Sequence, residues 1–282
     1  MTCLITGITG TIGRAVLRAV HERNPEAVVR GLSRDDSKQT ELTDEYASPH
    51  WLRLLIGDIR DLDRLRLAFR GVESVVHCAA LKHVGACERN PAEAMETNAR
   101  GTANVIQAAT EAGVKRLVLV STDKAADPST TLGASKLMAE RIVVDSAKWS
   151  PTVLTVARLG NVWNSRGSLP QRAWAAVKAG RRIQVTDLTA TRYVVTAERA
   201  GAFIHDVLIK GETGRIYVPV MERITVLAML RRAGIRDEAI GDRETIGLQP
   251  GEKHDEEIVS SHEFGNAKNC PVPDAWVVER KA

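Results

Sequence analysis

Short apolar runs recur along the first 160 residues at regular intervals. Residues 2–6, 28–32, 51–56, 74–78, 116–120 and 152–159 are runs dominated by Val, Leu and Ile, the pattern of strands covered on both faces. Between them the apolar positions change to helical spacing. Residues 14–22 and 62–70 read as helices, and Pro91 at a first helical turn opens a longer one reaching to about residue 112. Strands alternating with helices imply right-handed crossovers and an α/β fold built on a doubly wound parallel sheet.

After residue 159 the clean alternation stops. Residues 171–179 read as a helix and 183–185 as a strand, and Thr196 reads as the N-cap of a helix over 197–209. A strand at 216–220, a helix at 226–233 and a strand-like 244–248 follow. The expected division is a sheet domain of residues 1–159 plus about 194–214, with 160–193 and 215–282 as a small lobe closing over it.

Composition narrows the class. The 282 residues are 44% hydrophobic and 26% charged, an ordinary soluble balance. The net charge of +4 is spread among mixed signs, which argues against a nucleic-acid partner. No apolar run reaches membrane-spanning length, and MTCLITGITG lacks the basic and apolar regions of a secretion signal. Cys3, Cys78, Cys87 and Cys270 lack metal-type spacing and read as small apolar residues in a reducing compartment, so a cytoplasmic location is expected, with no metal and no membrane.

The first chemical signal is Gly7, Gly10 and Gly13, set directly after a strand and opening a helix. Glycines there let the backbone approach a pyrophosphate, whose charge the helix N-terminus favours. In such a Rossmann-type sheet, ligands bind at the carboxyl ends of the strands, where Gly7, Ser33, Asp58, Ala79 and Ser121 fall. The second strand runs out into Ser33 and Arg34, and Asp35 and Asp36 come late for a ribose hydroxyl. A hydroxyl and a guanidinium suit a 2′-phosphate, so NADP is favoured, with NAD the alternative.

The second signal is STDKAADPSTTLGASK at 121–136, where Asp123, Lys124 and Lys136 can move protons. With ALKHV at 80–84 and its flanks, TGITGTIG at 6–13, GDIRD at 57–61, GNVWNSRGSLP at 160–170 and LQPGEKHDEE at 248–257, it makes nearly the whole chain resemble an extended short-chain dehydrogenase/reductase. More narrowly, the chain resembles the inverting UDP-N-acetylglucosamine 4,6-dehydratases of the polysaccharide-biosynthesis type. The resemblance implies transient oxidation of a ring hydroxyl by a bound nicotinamide, removal of the acidified proton next to the ketone, loss of the C6 hydroxyl as water, and return of the hydride. It also implies a homo-oligomer and a nucleotide-sugar or nucleoside substrate.

Carried over by position, Asp123 resembles the acid at the leaving hydroxyl, Lys124 the base at C5, and Lys136 the lysine that holds the nicotinamide ribose. A base must be neutral to act, so the Lys124 pKa is expected to be depressed by burial or by Lys136. The resemblance places Gly7, Thr9, Gly10, Thr11, Ile12, Gly13, Ser33, Arg34, Asp58, Ile59, Ala79, Ala80, Lys82, Asn98, Ser121 and Lys136 against the cofactor. It places Lys82, His83, Thr122, Leu132, Asn161, Arg166, Arg192, Gln249 and Lys253 against the substrate.

Two positions depart from that pattern. Leu132 stands four residues before Lys136, where the family has a tyrosine that exchanges the ring-hydroxyl proton. Losing a general base costs on the order of a hundred- to ten-thousandfold in rate. Either Lys124, Asp123, Thr131 or a substrate hydroxyl takes over that proton, or the protein binds the dinucleotide without turnover, or the sequence carries an inactivating change. The first is favoured, because the other proton-moving groups are all present. Gln249 stands where an arginine commonly faces the substrate diphosphate, and it cannot offer a charged fork. Together the departures point to a substrate unlike UDP-N-acetylglucosamine, such as a nucleoside of an antibiotic pathway left with an exocyclic alkene by 5,6-dehydration. The alternatives are a sugar-nucleotide epimerase and a non-catalytic, redox-sensing dinucleotide binder.

Overall fold

The computed structural model describes residues 1–47, 49–248, 251–267 and 270–280. Six strands form in sequence order as the apolar runs imply: β1 (Thr2–Thr6), β2 (Val28–Ser33), β3 (Leu52–Ile56), β4 (Ser74–His77), β5 (Arg116–Thr122) and β6 (Val153–Leu159). Later come β7 (Asn161–Val162), β8 (Gln184–Val185), β9 (Thr191–Val195), β10 (Ile216–Pro219), β11 (Glu222–Thr225), β12 (Glu244–Thr245), β13 (Glu263–Asn266) and β14 (Ala275–Arg280). Nine of them make one sheet in the order β13-β14-β10-β6-β5-β4-β1-β2-β3. The seven strands from β10 to β3 pair parallel, and only β14 and β13 run antiparallel.

The helices are α1 (Thr11–Arg23), α2 (Asp36–Glu45), α3 (Leu62–Phe69), α4 (Val84–Arg89), α5 (Pro91–Met95), α6 (Gly101–Glu111), α7 (Thr131–Ser146), α8 (Leu169–Lys178), α9 (Ala197–Lys210), α10 (Val226–Arg232) and α11 (Asp237–Gly241). They cover both faces of the sheet. On one side α1 and α9 pack through Val16, Leu17, Val20, Phe203, Ile204 and Val207, and on the other α3 and α6 bring Leu65, Phe69, Val105 and Ile106. Gly201 allows the α1–α9 approach, because a Cβ there would stand 2.6 Å from the Ala15 carbonyl carbon. Thr196 caps α9 as expected, its hydroxyl accepting from the Arg199 N–H at 3.2 Å.

Two expectations change, and one helix appears that the apolar pattern did not mark. The expected helix from Pro91 to about 112 is broken by a π turn at Glu96–Arg100, which turns Asn98 inward. The α2 helix, DSKQTELTDE, buries only Gln39 and Leu42 and therefore shows no apolar stripe. Within residues 215–282, β10, β14 and β13 extend the main sheet beside β6. α10 and α11 from the same stretch pack with α8 and β8 of 160–193 around Ala173, Ile183, Val185, Val226, Leu230 and Ile240, and these make the small lobe.

The return to the sheet is fixed by a buried charge cluster. Arg158 on β6 is fully buried and holds Glu140 of α7 at 2.7 and 3.1 Å and Glu263 of β13 at 2.8 and 3.2 Å. The same guanidinium donates to the Ile258 carbonyl at 2.9 Å.

Candidate active site

A cleft of about 1490 Å³ opens across the carboxyl ends of β1, β2, β4, β5 and β6. A single small-molecule site occupies roughly 300–1,000 Å³, so this cleft has room for two ligands side by side. At one end lies the turn from β1 into α1. Gly7 has φ +68°, and a Cβ on it would stand 2.8 Å from the Ala79 backbone nitrogen. Gly10, the N-cap of α1, makes no side-chain cap, which leaves the first N–H groups of α1 facing the cleft. A backbone cradle that a Cβ would fill, at an uncapped helix N-terminus, fits the pyrophosphate of a dinucleotide.

Of the residues expected against the cofactor, Gly7, Thr9, Gly10, Thr11, Ile12, Gly13, Ser33, Arg34, Asp58, Ile59, Ala79, Ala80, Lys82, Ser121 and Lys136 all line this cleft. Asn98 lies behind its wall. Its side-chain oxygen accepts from the Leu81 N–H at 2.8 Å, and its nitrogen donates to the Leu81 carbonyl at 3.0 Å and to Ser135 Oγ at 3.0 Å. It shapes the loop after β4 without facing the ligand. At the end of β2, Asp35 caps α2 and pairs with Lys38, while Arg34 reaches Asp58 at 3.5 Å.

Behind the glycine turn runs a buried chain. The Ala79 N–H donates to Thr6 Oγ1 at 3.2 Å, Thr6 lies 2.7 Å from His77 Nδ1, and His77 Nε2 lies 3.1 Å from Thr102, which donates to the Asn98 carbonyl at 2.6 Å. These partners require a neutral His77 with its proton on Nε2. Burial, reinforced by the Lys136 charge, pushes its pKa down from 6.5 to about 3. The unfolded chain therefore takes up a proton below pH 6.5 that the folded chain refuses until about pH 3. Stability from this group is full above pH 6.5 and is lost as pH falls, at up to about 1.4 kcal/mol per pH unit. Urea unfolding at pH 7, 6, 5 and 4 should give that slope, and His77→Gln should flatten it.

Asp123 and Lys124 follow β5 on a short 3₁₀ turn. Thr122 Oγ1 and the Lys124 N–H donate to Asp123 Oδ1 at 2.7 and 2.9 Å. The Lys124 ammonium stands 3.2 Å from Asp123 Oδ1 and 3.1 Å from Glu256 Oε1. Thr122, Lys124 and Glu256 line the cleft, whereas Asp123 is 1% exposed and sits beneath them, its Oδ2 buried without a hydrogen-bond partner.

The expected depression of Lys124 is reversed. Burial alone would lower its pKa, but Asp123 and Glu256 outweigh it and hold the amine above its ordinary value. Lysines are lowered elsewhere in the cleft: Lys82 by burial and by Arg166, and Lys136, which donates to the Val120 carbonyl at 2.7 Å, by burial down to about 8 against the opposing charge of Glu140. Glu256 was not singled out in the sequence. Its only signal was its place in GEKHDEE, because the contact with Lys124 is made by the fold.

The expected substrate residues divide. Lys82, His83, Thr122, Leu132, Asn161, Arg166 and Arg192 line the cleft. Arg192 is buried and paired with Glu252 at 2.9 Å, so it is no solvated surface charge. Arg166 donates its N–H to Thr11 Oγ1 at 3.2 Å, and its carbonyl accepts from Lys82 Nζ at 2.7 Å, which straps the 160–170 loop across the cleft. Lys253 pairs with Asp127 and does not line the cleft. Gln249 lies outside the described residues. Leu132 is 5% exposed and packs with Cys87, Ala94, Leu81 and Val84, an apolar patch with no proton to exchange.

Among the described residues no His, Cys, Asp and Glu cluster could hold a metal ion, and no helix is long and apolar enough to cross a membrane. The sequence matches a family model described as polysaccharide biosynthesis protein over residues 3–276. It is similar to a UDP-glucose 4-epimerase of Rickettsia canadensis, 35% identical over 277 residues that cover 95% of this chain and 80% of the relative. It is equally similar to a UDP-N-acetylglucosamine 4,6-dehydratase (inverting) of Campylobacter jejuni, 35% identical over 264 residues, 92% of this chain and 77% of that one. The X-ray structure of Pen from Bacillus thuringiensis matches with a TM-score of 0.90 at 34% identity, covering 99% of this chain and 88% of that one.

Proposed function

The chain belongs to the polysaccharide biosynthesis protein family of extended short-chain dehydrogenase/reductase enzymes, and we propose that it dehydrates the sugar of a nucleotide or nucleoside with a nicotinamide dinucleotide as cofactor. The observation that carries this reading is the Asp123–Lys124–Glu256 cluster, set in the same cleft as the glycine turn and Lys136. An epimerase needs only to move a hydride off and back. A dehydratase must also break a carbon–hydrogen bond and expel water, which calls for an acid and a base beside the ring.

When bound, the dinucleotide supplies reversible oxidation of a ring hydroxyl, so that the neighbouring C–H becomes acidic. Gly7, Gly10 and Gly13 would hold its pyrophosphate, Asp58 its adenine side, and Lys136 and Ser121 its nicotinamide ribose. NADP is the proposed form. Asp35 is already engaged by Lys38 and by α2, while Arg34 is on the cleft wall for a 2′-phosphate. Arg192, Lys82 and Asn161, which line the same cleft, would meet the sugar nucleotide.

The test is incubation with UDP-N-acetylglucosamine or UDP-glucose and NADP⁺ in deuterated water, with products read by mass spectrometry. Loss of one water together with deuterium uptake is expected. A change of sugar configuration with no loss of mass would assign the protein to the epimerases instead.

A further inference from the structure

We propose that Glu256 is a further catalytic residue: it is the carboxylate that takes the carbon-bound proton, and Lys124 is the acid that protonates the departing hydroxyl. This rests on the dehydratase reading; it moves Lys124 from base to acid and leaves Asp123 as a proton relay beneath it.

Four groups form a continuous chain, Thr122–Asp123–Lys124–Glu256, with links of 2.7, 3.2 and 3.1 Å. Both of its ends, and Lys124 between them, reach the cleft, while Asp123 is sealed beneath. An ammonium clamped between two carboxylates, and held above its usual pKa by them, is a poor acceptor for a proton on carbon. It is well suited to give a proton to a leaving hydroxide. The cleft-lining carboxylate placed against Lys124, and so beside the same reacting carbon, is Glu256.

Its position is fixed by rigid partners on both sides. Lys253 is tied to Asp127, Asp255 to Thr191 and to Arg223 at 2.9 Å, and the Ile258 carbonyl to buried Arg158 at 2.9 Å. A carboxylate on a segment pinned this closely is held in one geometry, which is what proton transfer at carbon needs.

The steps balance with a nicotinamide dinucleotide as the co-reactant. Once the ring hydroxyl is a ketone, the neighbouring C–H bond breaks and its proton goes to Glu256. The electron pair forms the carbon–carbon double bond as the C–O bond breaks, and the hydroxide takes a proton from Lys124 and leaves as water. The proton released from the ring hydroxyl passes through Thr122 to Asp123 and restores the Lys124 ammonium. Glu256 returns its proton to carbon when the hydride returns to the sugar. In this scheme the ring-hydroxyl proton is handled by Thr122 and Asp123, and Leu132 takes no part.

The experiment compares wild type, Glu256→Gln, Glu256→Asp and Lys124→Met with UDP-N-acetylglucosamine and UDP-glucose, each with NADP⁺ in deuterated water. Dinucleotide titration by fluorescence reports whether each variant is folded. Glu256→Gln should bind dinucleotide yet lose deuterium uptake and water loss by on the order of a hundred- to ten-thousandfold. Glu256→Asp should recover part of both. Lys124→Met should keep deuterium uptake into the sugar and lose elimination of water. Wild-type deuterium uptake by Glu256→Gln overturns the assignment, as does loss of uptake in Lys124→Met with uptake retained in Glu256→Gln. A wild type that exchanges and eliminates on neither removes the dehydratase reading for sugar nucleotides, and this assignment with it.

Discussion

Replacing Arg158 with methionine is expected to cost on the order of 3–5 kcal/mol of folding stability, enough to leave much of the protein unfolded at physiological temperature. Glu140 and Glu263 are 1% and 3% exposed and both lean on this one guanidinium. Removing it strands two carboxylates in a dry interior and frees the Ile258 carbonyl as well. The loss belongs to the stranded charges and not to the net value of the cluster. The triple substitution Arg158→Met, Glu140→Gln and Glu263→Gln should therefore recover a large part of it. Chemical denaturation of the single and triple variants checks this. Equal stability of Arg158→Met and wild type would mean that the cluster carries no structural weight.

The second large effect is at the glycine turn. A Cβ on Gly13 would stand 2.6 Å from Ile8 Cα and closer still to the Gly7 carbonyl oxygen, both backbone atoms that cannot swing aside. Gly13→Ala must push α1 off β1, which breaks the cradle and costs on the order of 1–3 kcal/mol or more in overpacking alone. Dinucleotide affinity should fall by about tenfold for each 1.4 kcal/mol of that strain placed on the bound form, to a hundredfold or beyond. Gly10→Ala is the internal comparison. Its Cβ would meet the Gly7 carbonyl oxygen at 3.3 Å, a contact that small shifts relieve, so its affinity should fall much less. Calorimetric titration with NADPH ranks the two.

The parallel half of the fold was legible because strands covered on both faces must be apolar throughout. Runs such as LVLV within β5 carry that signature without any partner in view. The glycine turn was legible for the same local reason: strand, turn and helix are contiguous. What was missed depends on contacts made at long range. The α2 helix has a polar sequence and borrows its place from Gln39, whose amide donates to Ser33 and to the Leu55 carbonyl. The strand EFGN at 263–266 has no alternation to mark it, and its carboxylate at 263 belongs to the Arg158 cluster.

The site divides in the same way. Lys124 and Asp123 were visible as neighbours in sequence, but the ionisation of Lys124 was not. It is decided by Glu256, which arrives from a distant segment. Burial, the one influence that could be anticipated from a strand-end position, acts in the expected direction and is outweighed. Asn98 shows a related limit. The π turn rotates it toward Leu81 and Ser135, and nothing in the spacing of that helix announces the extra residue.

The order of strands in the large sheet has a consequence for synthesis. β6 finds its outer neighbour only in β10, and β10 in turn is covered only by β14. A growing chain can thus assemble its nucleotide-binding half on the ribosome while the hydrogen-bonding edge of Val153–Leu159 stays bare. Such an edge invites pairing with a strand from another molecule. That hazard lasts until Ile216–Pro219 pairs beside it, and the new edge on β10 stays open in turn until Ala275–Arg280 pairs antiparallel against it.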